Sequence, residues 1–196
     1  MTGSPGIGKS RGLTYLLRLL LKEKETVVFE SRKEGRVFLF TFDKVKKGYI
    51  VQSHGTDSGS WLDDIRPILD DDTKWYLVDL GENGMSERHL VCTNARYILA
   101  ASPNKNHYHE FCKTPGCITY YIVPWKLEEL NAVRKHVMVY KKVILSPEKM
   151  ASRFTIFGGI PRHVFCLSTS ERQLATRLVE AALHLSWETV EKQWLI

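Results

Sequence analysis

The sequence predicts an α/β fold, in which helices pack on a hydrogen-bonded sheet, and three observations carry that expectation. A leucine stripe (Leu13, Leu16, Leu17, Leu20, Leu21) recurs at helical spacing directly after a glycine-rich opening. Two compact apolar runs, Trp75 to Leu80 and Tyr97 to Ala101, have the length of buried parallel strands. Helical and strand-like patterns then alternate along much of the chain.

Taken in order, Arg11 to Lys22 reads as an amphipathic helix. Thr26 to Ser31, Arg36 to Phe42 and Gly48 to Ser53 read as strands, parted by turn-forming segments around Gly35 and Gly48. His54 to Ser60 is a loop, and a short helix starts at Ser60-Trp61 and ends near Asp70. After the two buried strands come a polar helix at Lys105 to Lys113, a strand at Ile118 to Val123 and a helix at Leu127 to Val139. From Ser146 the chain reads as helical, broken at Gly158-Gly159-Ile160-Pro161. The expected architecture is a mostly parallel sheet flanked by helices over residues 1–140, with a small helical, lid-like part over residues 141–196.

Composition narrows the class. The 196 residues carry 28 Lys+Arg against 22 Asp+Glu, a formal charge of +6 that leans toward anionic partners. At 43% hydrophobic and 26% charged residues, the chain is neither disordered nor fibrous. Four cysteines, Cys92, Cys112, Cys117 and Cys166, are too few and too irregularly spaced for a disulfide scaffold and fit a reducing compartment. The longest aliphatic stretch is interrupted by Arg18 and followed by Lys22, far short of the ~20 residues of a membrane span. The chain opens on a glycine-rich loop and shows no secretory signal pattern.

Gly3-Ser4-Pro5-Gly6-Ile7-Gly8-Lys9-Ser10 matches GxxxxGK(S/T), the phosphate-binding loop. The glycines let the backbone curl so that successive N–H groups converge on phosphate. The lysine reaches the β and γ oxygens, and the serine hydroxyl ligates Mg²⁺. The helix starting at Lys9 adds its positive end. The partner of such a loop is a carboxylate at the end of a neighbouring hydrophobic strand, and Trp75-Tyr76-Leu77-Val78-Asp79 supplies Asp79 for the metal. The residue after Asp79 is Leu80, so the water-orienting base falls to Glu82. Ser102, at the tip of the next strand, is the candidate γ-phosphate sensor, and Arg162 the candidate for neutralising transition-state charge. The bland readings are a turn for Ser102-Pro103-Asn104 and a solvated residue for Arg162. Arg88, Arg96 and Arg153 are weaker candidates.

His107, His109, Cys112 and Cys117 are zinc-ligand types, but their spacing matches no common site. Trp187 and Trp194 with Leu183 and Val190 fit a packing face. The lysine pairs and triplets lack the aromatic interleaving of a nucleic-acid surface. A small-molecule kinase would need an arginine-rich lid, which the sequence does not show.

The loop and Trp75 to Asp79 are joined by Ala101-Ser102-Pro103 with Tyr108-x-Glu110-Phe111, by Val123-Pro124-Trp125 with Leu127-Glu128-Glu129-Leu130, and by Phe157-Gly158-Gly159-Ile160-Pro161-Arg162. In that order, across essentially the whole chain, they resemble the Crinkler proteins and the related retrotransposon-hot-spot proteins. The resemblance implies a P-loop ATPase module of an effector, secreted by oomycetes or fungi and delivered to a host nucleus, with nuclear proteins or nucleic acid as partners. The expected activity is binding and slow hydrolysis of ATP with Mg²⁺. The alternative is a degenerate, non-catalytic domain serving as a protein-interaction module. A P-loop normally springs from a central parallel strand, yet only Met1 and Thr2 precede Gly3, so an absent first strand and an N-terminal truncation are expected.

Overall fold

The computed structural model describes residues 1–56, 61–81, 93–104, 108–113, 115–138, 145–166 and 173. They fall into two units, Met1–Val123 and Pro124–Ile196. The expected boundary at Tyr140 and Lys141 lies outside the described residues.

In the first unit, helix α1 (Lys9–Lys22) is followed by strands β1 (Val27–Ser31), β2 (Arg36–Asp43) and β3 (Gly48–Gly55). Helix α2 (Trp61–Leu69), strands β4 (Trp75–Asp79) and β5 (Arg96–Ala100) and the single turn α3 (His109–Cys112) complete it. The sheet order is β3-β2-β1-β4-β5. β1, β4 and β5 run parallel, with Ser31, Asp79 and Ala100 abreast at their ends, while β2 pairs antiparallel with both β1 and β3. The sheet is therefore mixed rather than mostly parallel. The cause is local: turns at residues 32–35 and 44–47 are too short for a crossover, so β2 and β3 can only double back.

Helices cover both faces of the parallel part. On one face Leu13 and Leu20 of α1 share a core with Val27, Leu77 and Ala100. On the other, Trp61, Ile65 and Leu69 of α2 pack with Val28, Tyr76, Val78, Leu80 and Leu99. Successive residues of the buried strands thus sort into two cores, one on each face. Burying side chains of this size stabilises each face by about 1.5–3 kcal/mol per residue. Tyr97 meets Phe111 edge-on at 4.4 Å between ring centroids, which ties α3 to β5.

The second unit contains α4 (Leu127–Val133), continuing as a π turn over Arg134–Met138, then α5 (Pro147–Phe157) and α6 (Pro161–Val164). Leu130, Leu145, Met150 and Val164 form its core. Ser146 caps α5 by accepting from the Lys149 N–H, with Pro147 at the first helical position.

Candidate functional site

The two residues ahead of the glycine-rich loop are tied on both sides. Met1 N donates to Leu99 O at 2.8 Å, and Ala101 N–H donates to Met1 O at 3.1 Å. Thr2 N–H donates to Tyr120 O and Ile122 N–H to Thr2 O, both at 2.8 Å, a parallel bridge between Thr2 and Tyr121. Met1 and Thr2 therefore stand between β5 and residues 120–122, in the place expected to lack a strand. The Thr2 hydroxyl donates to Ser102 O at 3.1 Å, fixing the start of the loop beside the tip of β5.

From there the chain curls. Gly3 has φ +148°, and a Cβ there would lie 2.8 Å from Ile122 O, so only glycine passes this point. Gly6 and Gly8 also take positive φ, 82° and 113°. Ile7 is buried and its N–H donates to Ser4 O, pinning the middle of the loop. The Lys9 ammonium reaches back over the curl to Gly3 O at 2.6 Å and Ser4 O at 3.1 Å. Gly8 stands at the helix N-cap, where no side chain caps α1, and the first turn holds no acidic residue. The positive end of a 14-residue helix thus opens on the loop with no acidic residue in its own first turn. Ser10 is exposed at the same end.

Asp79 ends β4 on the face that α1 covers, because it follows Leu77 by two residues. Lys9 precedes Leu13 by one helical turn, on the sheet-facing side of α1. Leu13 and Leu77 share one core, so Lys9 and Asp79 come to the same edge and the same face of the sheet. Register puts Asp79 beside Ala100 and Ala100 beside Met1, so two interstrand steps, about 10 Å, separate Asp79 from the strand that launches the loop. Asp79 Oδ1 accepts from Gly81 N–H at 3.4 Å, a long contact that leaves the carboxylate half-buried at the edge. Leu80 turns to the opposite face and is buried under α2, so the residue directly after Asp79 brings no acid to the site.

Of the other sequence-derived candidates, Ser102 lies at this edge, linked through Thr2. Glu82, Arg88 and His107 lie outside the described residues. Arg96 stacks over Trp75 at the far end of β5, 5.7 Å from the ring centroid. Arg162 is exposed on α6 in the second unit, where burial and then the Arg162 charge lower the pKa of the adjacent His163. Arg153 is buried and donates to Val164 O and Cys166 O, which makes it a clamp on α6. The Pro-Trp and Gly-Gly motifs explain each other: Trp125 N–H donates to Gly159 O at 2.8 Å, and a Cβ on Gly159 would fall 1.9 Å from Trp125 O.

One group was not singled out from the sequence. Glu30 is buried on the α2 face, accepting from the Tyr76 hydroxyl and pairing with Arg32, whose N–H donates to Asp79 O at 3.0 Å. Burial, then the Glu30 carboxylate, push the Tyr76 phenol well above its ordinary pKa. The signal for this cluster was a lone acid inside the apolar run of β1. It lies on the face opposite Lys9 and Asp79, so it holds the end of β4 from behind.

No family model matches the chain. It is 28% identical over 166 residues to Crinkler effector protein 15 of Phytophthora infestans, and equally to Crinkler effector protein 16 of the same organism. Each match covers 84% of this chain and 24% of the relative, so the chain spans about a quarter of the length of the curated relatives it matches. No solved structure matches.

Proposed function

We propose that the chain is a Crinkler-like module that binds a nucleoside triphosphate, ATP, together with Mg²⁺. The observation that carries this reading is the Lys9 ammonium folded over the Gly3 and Ser4 carbonyls at an uncapped helix start, on the sheet edge and face where Asp79 ends β4. The parallel run β1-β4-β5, continued by Met1-Thr2 and residues 120–122, supports a P-loop core within the mixed sheet.

The donor set fits a polyphosphate. The Gly6 and Gly8 amides and the first amides of α1 supply N–H groups, and Lys9 supplies a cation. Lys9 exchanges its two carbonyl partners for β and γ oxygens, a charge-assisted contact stronger than the neutral one it leaves. The Ser10 hydroxyl and the Asp79 carboxylate are hard oxygen ligands that would hold Mg²⁺, which would neutralise phosphate charge. Ser102, tethered through Thr2 to the root of the loop, senses the γ-phosphate.

Turnover is slow. Leu80 sits in the apolar core where a water-orienting acid would follow Asp79, and that role passes to Glu82. The same burial favours a second reading, a domain that binds nucleotide without consuming it and serves as an interaction module. By its similarity to Crinkler effectors, we assign the module to a secreted effector acting in a host nucleus, with nuclear proteins or nucleic acid as partners.

The test is titration of ATP with Mg²⁺ into the native chain and into Lys9→Ala. Binding by the native chain and a loss of about 100-fold in the variant, roughly 3 kcal/mol, are expected. Equal, negligible affinity in both ends the reading. Hydrolysis that survives Glu82→Gln removes that residue from the mechanism.

A further inference from the structure

The β2–β3 hairpin is covered unevenly on its two faces. On the α2 face, Val37 and Leu39 of β2 are buried in the core that α2 shares. On the α1 face, register groups Phe38, Phe40 and Phe42 of β2 with Tyr49 and Val51 of β3, because Phe40 stands opposite both Val27 and Val51, and Phe42 opposite Tyr49. The four rings are only half-buried, and Val51 keeps 52% of its surface exposed. The cause is the placement of α1, which packs along β1, β4 and β5 and meets the hairpin at Tyr49, whose hydroxyl donates to Leu21 O at 2.9 Å. A shallow groove of about 420 Å³ runs along that junction, lined by Thr14, Leu17, Arg18, Leu21 and Lys22 of α1 and by Tyr49. It lies on the side of the sheet away from β5, Met1 and Thr2.

Width, charge and ring geometry specify the occupant. Two strands span about 10 Å, the distance between neighbouring helices packed on one sheet, so the hairpin has room for one helix alongside α1. The rim is cationic. Arg18 and Lys22 stand on the α1 wall, the Lys24 ammonium lies 5.3 Å from the Phe42 ring centroid, and Arg36, exposed at the far end of the same face, donates to Ser53 Oγ at 2.9 Å. Lys44, Lys46 and Lys47 are exposed in the turn between β2 and β3. Against these cations, the Glu25 charge reaches Tyr49, and Asp43 accepts from the Val45 and Lys46 N–H groups. Phe42 and Tyr49 meet edge to face, 5.4 Å between centroids at 68°, and Lys24 occupies the Phe42 ring, so this floor lacks the open faces on which single-stranded bases stack. It is ridged and apolar, suited to interdigitating side chains. We propose that this face docks an amphipathic helix of a partner protein, whose apolar stripe lies on β2 and β3 against Leu17 and Leu21 and whose acidic flanks meet Arg18, Lys22 and Lys24. This inference does not depend on nucleotide binding.

The probe is a fluorescein-labelled helical peptide of about 18 residues, with leucines at i, i+3, i+4 and i+7 and glutamates on both flanks, titrated into the whole chain by fluorescence anisotropy. Saturable binding is expected, weakened about tenfold or more by Val51→Asp, which sets an anion on the floor at a position already exposed. A charge swap tests the rim separately. The same peptide with lysine in place of every glutamate is expected to bind the native chain about tenfold more weakly, and to regain affinity for the chain carrying Arg18→Glu and Lys22→Glu. No binding, equal binding of the two peptides to the native chain, or no recovery in the swapped pair overturns the proposal. Tighter binding of a single-stranded oligonucleotide or of anionic phospholipid vesicles, lost in Val51→Asp, also overturns it, because the face then serves a different partner.

Discussion

The two sides of the sheet finish in opposite ways. Beyond β1 the chain closes its own edge with two antiparallel pairings, β1 with β2 and β2 with β3. β3 is largely exposed, Ile50 and Val51 keep about half their surface in water, and Lys44, Lys46 and Lys47 crowd the turn that leads into it. Beyond β5 the ladder depends on Met1 and Thr2, residues about a hundred positions away in sequence. The hairpin side is built from local contacts and tolerates water. The β5 side is built from distant contacts, is covered on both faces, and carries every candidate phosphate and metal contact of the first unit. The candidate contacts gather where the backbone is completed by long-range pairing, and stability should respond in the same way.

Four substitutions sharpen that contrast. Glu30→Ala strands the Arg32 guanidinium and the Tyr76 hydroxyl in the α2-facing core, and is expected to cost about 3–5 kcal/mol in urea unfolding. Gly3→Ala drives a Cβ against Ile122 O at a positive φ and should cost about 2–3 kcal/mol, with nucleotide affinity falling as the loop loses its root. Tyr76→Phe removes one charge-assisted bond to Glu30, a loss of about 1.5–2 kcal/mol. On the hairpin side Val51→Ala should change stability by no more than about 0.5 kcal/mol. A Val51→Ala cost matching that of Glu30→Ala would break the contrast.

Tyr76 also gives the fold a pH dependence of known sign. Its phenol titrates well above the ordinary value of 10.0 in the folded chain, so the folded state holds a proton that the unfolded state releases. The contribution is complete below about pH 10 and is lost as pH rises past it. Unfolding free energy measured from pH 8 to pH 11 should fall above pH 10 in the native chain and fall less steeply in Tyr76→Phe.

Much of this was legible in the chain itself. The leucine stripe and the glycines gave α1 and its loop, and the runs from Trp75 and Tyr97 gave β4 and β5 within a residue at each end. Asp79 was readable because an acid that closes a run of buried residues has to surface at a strand end. Other features were hidden for physical reasons. Apolar runs do not encode direction, so β2 and β3 looked like any other strands until their turns proved too short for crossovers. Two residues are too few to show a periodicity, so nothing local announced that Met1 and Thr2 would pair on both sides. Glu30 was not singled out, because its partners Tyr76 and Arg32 are set by the fold rather than by spacing. The close approach of Gly159 to Trp125 explains two motifs that the sequence could only present side by side.

The most direct test of the account is the Mg²⁺ dependence of ATP binding, measured by calorimetry on the native chain and on Asp79→Asn. The account predicts that Mg²⁺ tightens ATP binding about tenfold in the native chain, and that Asp79→Asn keeps the metal-free affinity while losing the gain. An identical gain in both proteins would contradict it, because the carboxylate at the end of β4 would then have no part in holding the metal.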